Sequence, residues 1–368
     1  MSGGIDSSVS ATLLKQAGFE VIGVFIRVWE PSGFVCTWRQ ERREARRVAA
    51  HLDIPLITLD LSKEYKKKVV DYFISEYQAG RTPNPDVMCN KHIKFGVFYD
   101  WAMTHGADFV ATGHYAQTLE AKPLGTSRFR LQVSADNNKD QTYFLWNIKH
   151  EQLAKILFPI GDKTKTEVRK LAKKFGLPNA EKKDSQGLCF IGKIDFKDFL
   201  KRELRPKKGR LNLPLGKVLN EAGKIIGQHD GAIFFTLGER RGFEIFSHQP
   251  NDKPYYIIAK DINKNTLTVS QMFDIQSRTL YKTVDIEQTN WLGELPDGGL
   301  EVKPLGTSRF NLQARVRYRQ PLQKCQLAKI DPIKKTATII FDEPQLAVSG
   351  QSLVLYDKDI CLGGGVIE

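Results

Sequence analysis

Residues 2–26 read SGGIDSSVSATLLKQAGFEVIGVFI. Glycines and serines lead into a helical pattern, Val9 to Ala17, and then into an apolar strand pattern, Phe19 to Ile26. Glycines let a backbone come close to an anion, and serine hydroxyls with the first amides of a helix donate to its oxygens. The Gly-Lys-Ser/Thr ending of a Walker A loop is missing. Outward from here the alternation continues. Arg39 to Leu52 sets Ala45, Val48, Ala49 and Leu52 on one helical face, and Ile54 to Leu59 is strand-like. Glu64 to Gln78 spaces Tyr65, Val69, Tyr72 and Phe73 as a helix, His92 to His105 is helical, and Ala107 to Ala111 is a short buried strand. This alternation predicts an α/β domain, a parallel sheet with helices on both faces. A phosphate loop normally follows a buried strand. The natural protein is therefore expected to carry roughly ten further residues of apolar strand before it.

The pattern changes after residue 200. Lys207 to Gly242 is rich in Gly and basic residues. From Tyr255 on, short alternating runs dominate: Tyr255–Ala259, Thr266–Ser270, Leu312–Tyr318, Lys324–Ile330, Thr336–Phe341 and Ser352–Tyr356. They predict a small β-barrel. The expected domains are 1–200, 201–272 and 273–368.

Hydrophobic residues make up 41% of the 368, enough for real cores. The net charge is +13 and the pI about 9.4, a balance suited to a polyanion, nucleic acid first. No apolar run approaches the roughly 20 residues of a membrane span. Neither a signal nor a transit pattern opens the chain, so a cytoplasmic protein is expected. The five cysteines are odd in number and widely spaced, unlike a disulfide scaffold.

KPLGTSRFRLQ at 122–132 and KPLGTSRFNLQ at 303–313 agree at ten of eleven positions. A lone pair is not a solenoid. A duplicated surface insertion is the plainer reading; a pair of basic loops on one polyanion is the other.

Cys89 follows Asn84-Pro85-Asp86-Val87-Met88, just before the predicted helix with Lys91, His92 and Lys94. A helix N-terminus with two lysines would favour the thiolate. Cys189 lies between Gly187 and Gly192, after Lys182 and Lys183. Either cysteine, taken alone, could be a small buried hydrophobe. Cys89 and His92 have ligand spacing but no second half-site, and no Cys-x-x-Cys suggests an iron–sulfur cluster. Asp6 could bind Mg²⁺ or cap its helix. Asp86 could act as a general acid/base, bind a base edge or cap the following turn, in a segment stiffened by Pro83 and Pro85. Arg39, Arg42, Arg43, Arg46 and Arg47 read as a solvated helix face. KRELRPKKGR at 201–210 is a better candidate for an RNA backbone.

SGG-x-DS resembles the signature of the PP-loop ATP pyrophosphatases. Beyond it come NPDVMCNKHIKF (84–95), ATGHY (111–115), NKDQTYFLW (138–146), KKDSQGLCFIG (182–192), VRYRQ (316–320) and CLGGGVIE (361–368), in that order. Together they resemble the tRNA-specific 2-thiouridylase family almost end to end. The resemblance implies a PP-loop nucleotide-binding domain, a small central mixed domain and a C-terminal β-barrel. It implies ATP and Mg²⁺, the tRNA anticodon stem-loop as substrate, a persulfide from a sulfur-relay donor protein, and a monomer. Met1, Ser2, Gly3, Gly4, Ile5, Asp6 and Ser7 would bind ATP, with Ile26 and Gly113 framing the adenosine. Asn84, Pro85 and Asp86 would face the target base, while Lys139, Asp140, Gln141, Arg317 and Tyr318 would contact tRNA. Cys89 would be the nucleophilic partner thiol and Cys189 the persulfide carrier. No protein metal centre is implied, and Cys36, Cys325 and Cys361 match no catalytic motif.

The implied chemistry adenylates the C2 oxygen of the wobble uridine and replaces it with sulfur. Sulfur passes by direct attack of the persulfide or as hydrosulfide released with help from Cys89. The rivals are a small-molecule PP-loop ligase, which needs no paired cysteines, and a non-catalytic tRNA-binding protein.

Overall fold

The computed structural model describes residues 1–31, 38–121, 128–183, 196–203, 215–247, 253–271, 280–292 and 312–368. Helix α1 (Ile5–Gln16) begins four residues before its apolar periodicity does. The serines explain the difference. Ser7 and Ser8 Oγ donate to Gly4 O at 3.1 and 2.8 Å, and Ser10 Oγ to Asp6 O at 2.8 Å, so the hydroxyls are absorbed by carbonyls one turn back. Strand β1 (Gly23–Arg27), helix α2 (Trp38–His51) and strand β2 (Leu56–Asp60) follow as the alternation predicts. β1 and β2 pair parallel, Gly23 opposite Leu56 through Arg27 opposite Asp60. A second parallel pair joins Val110–Ala111 to Ile156–Leu157. Ile5 and Val9 of α1 share a core with Val48, Tyr115, Ile160 and Val168.

A helical run from Ser62 to Gln78 passes through a π-helical turn at Lys66–Val70. Another runs from Pro85 to Thr104 through a π-helical stretch at Asn90–Val97. There Gly96 departs from helical geometry (φ −108°, ψ −107°), and a Cβ would meet Lys91 O at 2.8 Å. Tyr65, Val69 and Phe73 of the first run pack with Val87, Met88 and Cys89 of the second in the main core.

The central domain carries a five-stranded sheet in the order Tyr256–Asp261, Thr266–Ser270, Gly216–Leu219, Ile225–His229, Glu244–Ile245. The C-terminal strands close into a six-stranded barrel: Tyr281–Trp291, Thr336–Gln345, Gln323–Asp331, Leu312–Arg315, Ser352–Asp357 and Ile360–Ile367, the last pairing back to the first. Gly363, Gly364 and Gly365 make the closure possible. A Cβ on Gly363 would lie 2.1 Å from Asn290 O, and one on Gly364 2.1 Å from Leu353 O.

A hairpin of the first domain, Gln117–Ala121 with Arg128–Gln132, joins the barrel sheet through Gln132 opposite Ile360 and Leu131 opposite Cys361. Thus the first repeated peptide ends in the strand at Arg128–Gln132, and the second runs into Leu312–Arg315. These two strands flank the hairpin formed by Ser352–Asp357 and Ile360–Ile367, one on each side. The rest of both repeats, 122–127 and 303–311, lies outside the described residues. Among those described, no helix is long and apolar enough to cross a membrane.

Candidate nucleotide and substrate site

The loop at Ser2–Gly4 is shaped by contacts that leave no room for side chains. Gly3 sits at φ +75°, and a Cβ there would lie 2.5 Å from Glu41 O. Gly113 approaches the first turn of α1 backbone to backbone: its Cβ would fall 2.7 Å from Ser7 N and 2.8 Å from the Asp6 carbonyl carbon. Ser2 Oγ and Ser7 Oγ lie 3.3 Å apart at the mouth. A backbone cradle with the Ser2 hydroxyl beside a helix N-terminus fits the oxygens of a polyphosphate. The Met1 amine donates to Val24 O, and Ile26 lies half-buried on β1 against the main core.

Asp6 does not cap its helix: α1 has no side-chain cap, and the Asp6 carboxylate is held by Lys165 Nζ at 2.7 and 2.9 Å and by Tyr115 OH at 3.0 Å. Sequence reasoning missed Lys165. The signal was Thr164-Lys165-Thr166-Glu167, a capping box that fixes the start of the helix Lys165–Lys174. Asn179 Nδ2 donates to Gly3 O at 3.0 Å and Ser8 Oγ at 2.9 Å. Lys182 Nζ donates to Gly3 O at 3.2 Å and pairs with Glu44. The segment leading to Cys189 is thereby tethered to the nucleotide loop. Cys189 itself lies outside the described residues.

Cys89 is placed differently from expectation. Asn84 is the N-cap, its Oδ1 accepting from Val87 N at 3.4 Å with Pro85 at the first helical position. The helix therefore starts at Pro85, and the thiol sits at its fifth residue, away from the N-terminal amides. Cys89 is 3% exposed and packed in the main core. Asn84 and Pro85 are buried, and Asp86 is half-exposed. The Asn84 side chain hydrogen-bonds Tyr143, whose hydroxyl donates to Ser352 O of the barrel at 2.8 Å; burial raises the Tyr143 pKa above the ordinary phenol range.

Lys94 faces the nucleotide side. Its Nζ lies 3.2 Å from His114 Nε2, and His114 Nδ1 lies 2.8 Å from Thr112 Oγ1. Burial, with Lys94 adding to it, holds the His114 pKa well below the ordinary value. The neutral ring thus accepts from Lys94 at Nε2, and Nδ1–H donates to Thr112. His92 is pushed down to about 4, by burial first and then by Lys91 and Lys68.

Lys139, Asp140 and Gln141 do not act alike. Asp140 is 2% exposed and accepts from Ser134 N at 3.3 Å and Thr142 Oγ1 at 2.8 Å, with Arg315 at 3.7 Å. Gln141 Oε1 accepts from Tyr115 N at 2.9 Å. Both residues direct these polar groups inward, and Asp140 is buried where the sequence reading expected a tRNA contact. Lys139 is half-exposed. Arg317 is exposed on the barrel; Tyr318 is half-buried, its ring 4.5 Å from that of Phe144, with the Arg319 guanidinium 5.2 Å above it. Phe144 O accepts from Asn90 Nδ2 at 3.0 Å, beside Cys89. Phe144 and Arg319 were given no role in sequence, although they lie within the NKDQTYFLW and VRYRQ motifs.

Burial pushes the thiols of Cys325 and Cys361 up to about 12, which leaves them protonated and inert. Cys36 lies outside the described residues. Among the described residues no group of three His, Cys, Asp or Glu could hold a metal ion.

Comparison with known proteins agrees with this architecture. Residues 1–193 match the family described as tRNA methyl transferase HUP domain, 197–271 the tRNA methyl transferase PRC-barrel domain, and 281–367 the aminomethyltransferase beta-barrel domain. The tRNA-specific 2-thiouridylase MnmA of Streptococcus mutans is 43% identical over 372 residues, covering all of this chain and 94% of its own. Its counterpart in Enterococcus faecalis is 43% identical with the same coverage, and that of Streptococcus uberis 42% over 375 residues.

Proposed function

Since the chain belongs to the tRNA-specific 2-thiouridylase family, we propose that it is a tRNA-uridine 2-sulfurtransferase, an ATP-dependent enzyme that makes 2-thiouridine in tRNA. The observation that carries this is the backbone cradle of Ser2–Ser7 and Gly113, in a chain that aligns over its whole length with these enzymes. Domain borders near 200 and 272 accompany the reading.

The C2 carbonyl oxygen of uridine is a poor leaving group, and its transfer to the α-phosphate of ATP turns it into AMP, with pyrophosphate released. Ser2, Gly3, Gly4 and Ser7 would hold the phosphates, with Met1, Ile5, Ile26 and Gly113 lining the nucleotide. Mg²⁺ would travel on the phosphate oxygens, with Asp6 as a carboxylate beside them. The target is the wobble uridine of the anticodon loop, whose unstacked base can enter a pocket. Asn84, Pro85 and Asp86 would meet that base. Lys139, Arg317 and Tyr318 would engage the surrounding RNA, Phe144 and Tyr318 offering aromatic faces.

Sulfur arrives as a persulfide on Cys189, loaded by a sulfur-relay donor protein. Its terminal sulfur bonds to C2 as AMP departs. The Cys89 thiolate then attacks the Cys189 Sγ. The Sγ–S bond breaks, its electron pair stays with the sulfur on C2, and a Cys89–Cys189 disulfide remains for an external reductant. A monomer in the cytoplasm is the simplest setting.

Mass spectrometry of tRNA nucleosides after incubation with ATP, Mg²⁺ and a persulfide donor tests the proposal. New 2-thiouridine with one pyrophosphate per product is expected; unmodified tRNA with the full-length protein overturns it.

A further inference from the structure

The residues leading into the Cys89 helix, Thr82-Pro83-Asn84 and its first residue Pro85, are held largely from another domain. Pro83 and Pro85 have no amide hydrogen, so this strap is poor material for a sheet of its own domain. Its backbone bonds run to the barrel instead. Thr82 N donates to Ser349 O at 2.9 Å. The Gln351 side-chain amide donates to Thr82 O at 2.9 Å and to Pro83 O at 3.3 Å. Gly350 lies between them at φ +88°, where a Cβ would meet Thr82 N at 2.9 Å. The barrel fixes this clasp through Gly350 N to Ile367 O and Ile367 N to Gln351 O, both 2.8 Å. The central domain adds Thr236 Oγ1, 3.2 Å from Thr82 Oγ1. The next backbone carbonyl, Asn84 O, already receives Met88 N at 3.4 Å and belongs to the helix that carries Asp86 and Cys89.

We infer that Gln351 is a positioning residue for the thiolation reaction: by clasping two successive carbonyls of the strap, the barrel sets the angle at which the Cys89 thiol is presented. The inference rests on the function proposed above. It adds that the barrel, besides meeting RNA, sets the geometry of a helix in the first domain. A hydrogen bond that orients reacting groups without touching substrate acts on kcat and leaves substrate binding alone.

The test uses the full-length protein with Gln351→Met, which keeps the length of the side chain and removes its donor, beside Gln351→Ala. With tRNA, ATP and a persulfide donor, both variants are expected to lose about tenfold in kcat while KM for tRNA and for ATP stays within about twofold. An unchanged kcat, or a loss carried by KM for tRNA, overturns the inference. Wild-type protein in the same assay reports on the underlying function separately. Backbone hydrogen exchange supplies a readout free of the reaction. Faster exchange over residues 84–89, with the barrel strands unchanged, is expected in both variants. Unchanged exchange there overturns the clasp whether or not the wild type thiolates.

Discussion

Lys165 grips Asp6 by both carboxylate oxygens, at 2.7 and 2.9 Å, on the first turn of the helix that follows the phosphate loop. The ammonium belongs to the first residue of a helix at the far end of the same domain, and its side chain is only 12% exposed. One cation thus neutralises a carboxylate where polyphosphate is expected.

Replacing that cation should therefore be felt by ATP. With Lys165→Met the Asp6 charge would repel incoming phosphates, and a charged hydrogen bond of about 1.5–3 kcal/mol is lost. The expected result is a rise of roughly tenfold or more in KM for ATP with tRNA affinity unchanged. Pyrophosphate release against ATP concentration measures it; an unchanged KM would assign Lys165 to packing alone.

The two cysteines should separate binding from chemistry. Cys189→Ser and Cys89→Ser are each expected to abolish 2-thiouridine while tRNA binding persists. Thiolation retained by Cys189→Ser with a persulfide donor would refute the carrier assignment. If Cys89→Ser completes a single turnover at the wild-type rate and fails only on repetition, Cys89 is a resolving thiol.

Acid should destabilise the fold through its buried imidazoles. His114, His92 and His229 all have folded pKa values lowered by burial. Depressed folded values mean that the unfolded chain takes up protons below about 6.5 that the folded chain refuses. Their stabilising effect is complete above that pH and falls away toward the folded values, about 4 for His92. Asp140 and Glu239, raised by burial, carry the opposite sign and make the slope shallower. Melting temperature is expected to fall between pH 7.5 and 5.5; a flat or rising one contradicts the assignment.

What could be read in the sequence was whatever has a period or a fixed spacing. α2 emerged from Ala45, Val48 and Ala49, and all three are buried. Four of the six alternating runs became barrel strands, whereas Tyr255–Ala259 and Thr266–Ser270 lie in the central sheet and the barrel strand Tyr281–Trp291 was not among the runs. The strand Ile360–Ile367 did not emerge, because its glycines carry no pattern and serve close approach instead. The start of the Cys89 helix was placed too late because Asn84-Pro85 reads equally as a loop or as a cap with its first residue. The burial of Asp140 was invisible because its partners Ser134, Thr142 and Arg315 meet it only in the folded chain. Lys165 and Gln351 were missed for the same reason: each acts across more than 150 residues of sequence.

The outer edge of the strand Ile360–Ile367 is filled by two partners laid end to end, the barrel strand Tyr281–Trp291 and the first-domain strand Arg128–Gln132. A fragment cut at the border of the barrel would keep the first and lose the second. It would bare backbone donors and acceptors at Ile360 and Cys361, an open edge of the kind that recruits strands from other chains. The barrel is closed as a ring of six strands, yet the chain has stitched its rim to its own beginning, and the parts are best expressed together.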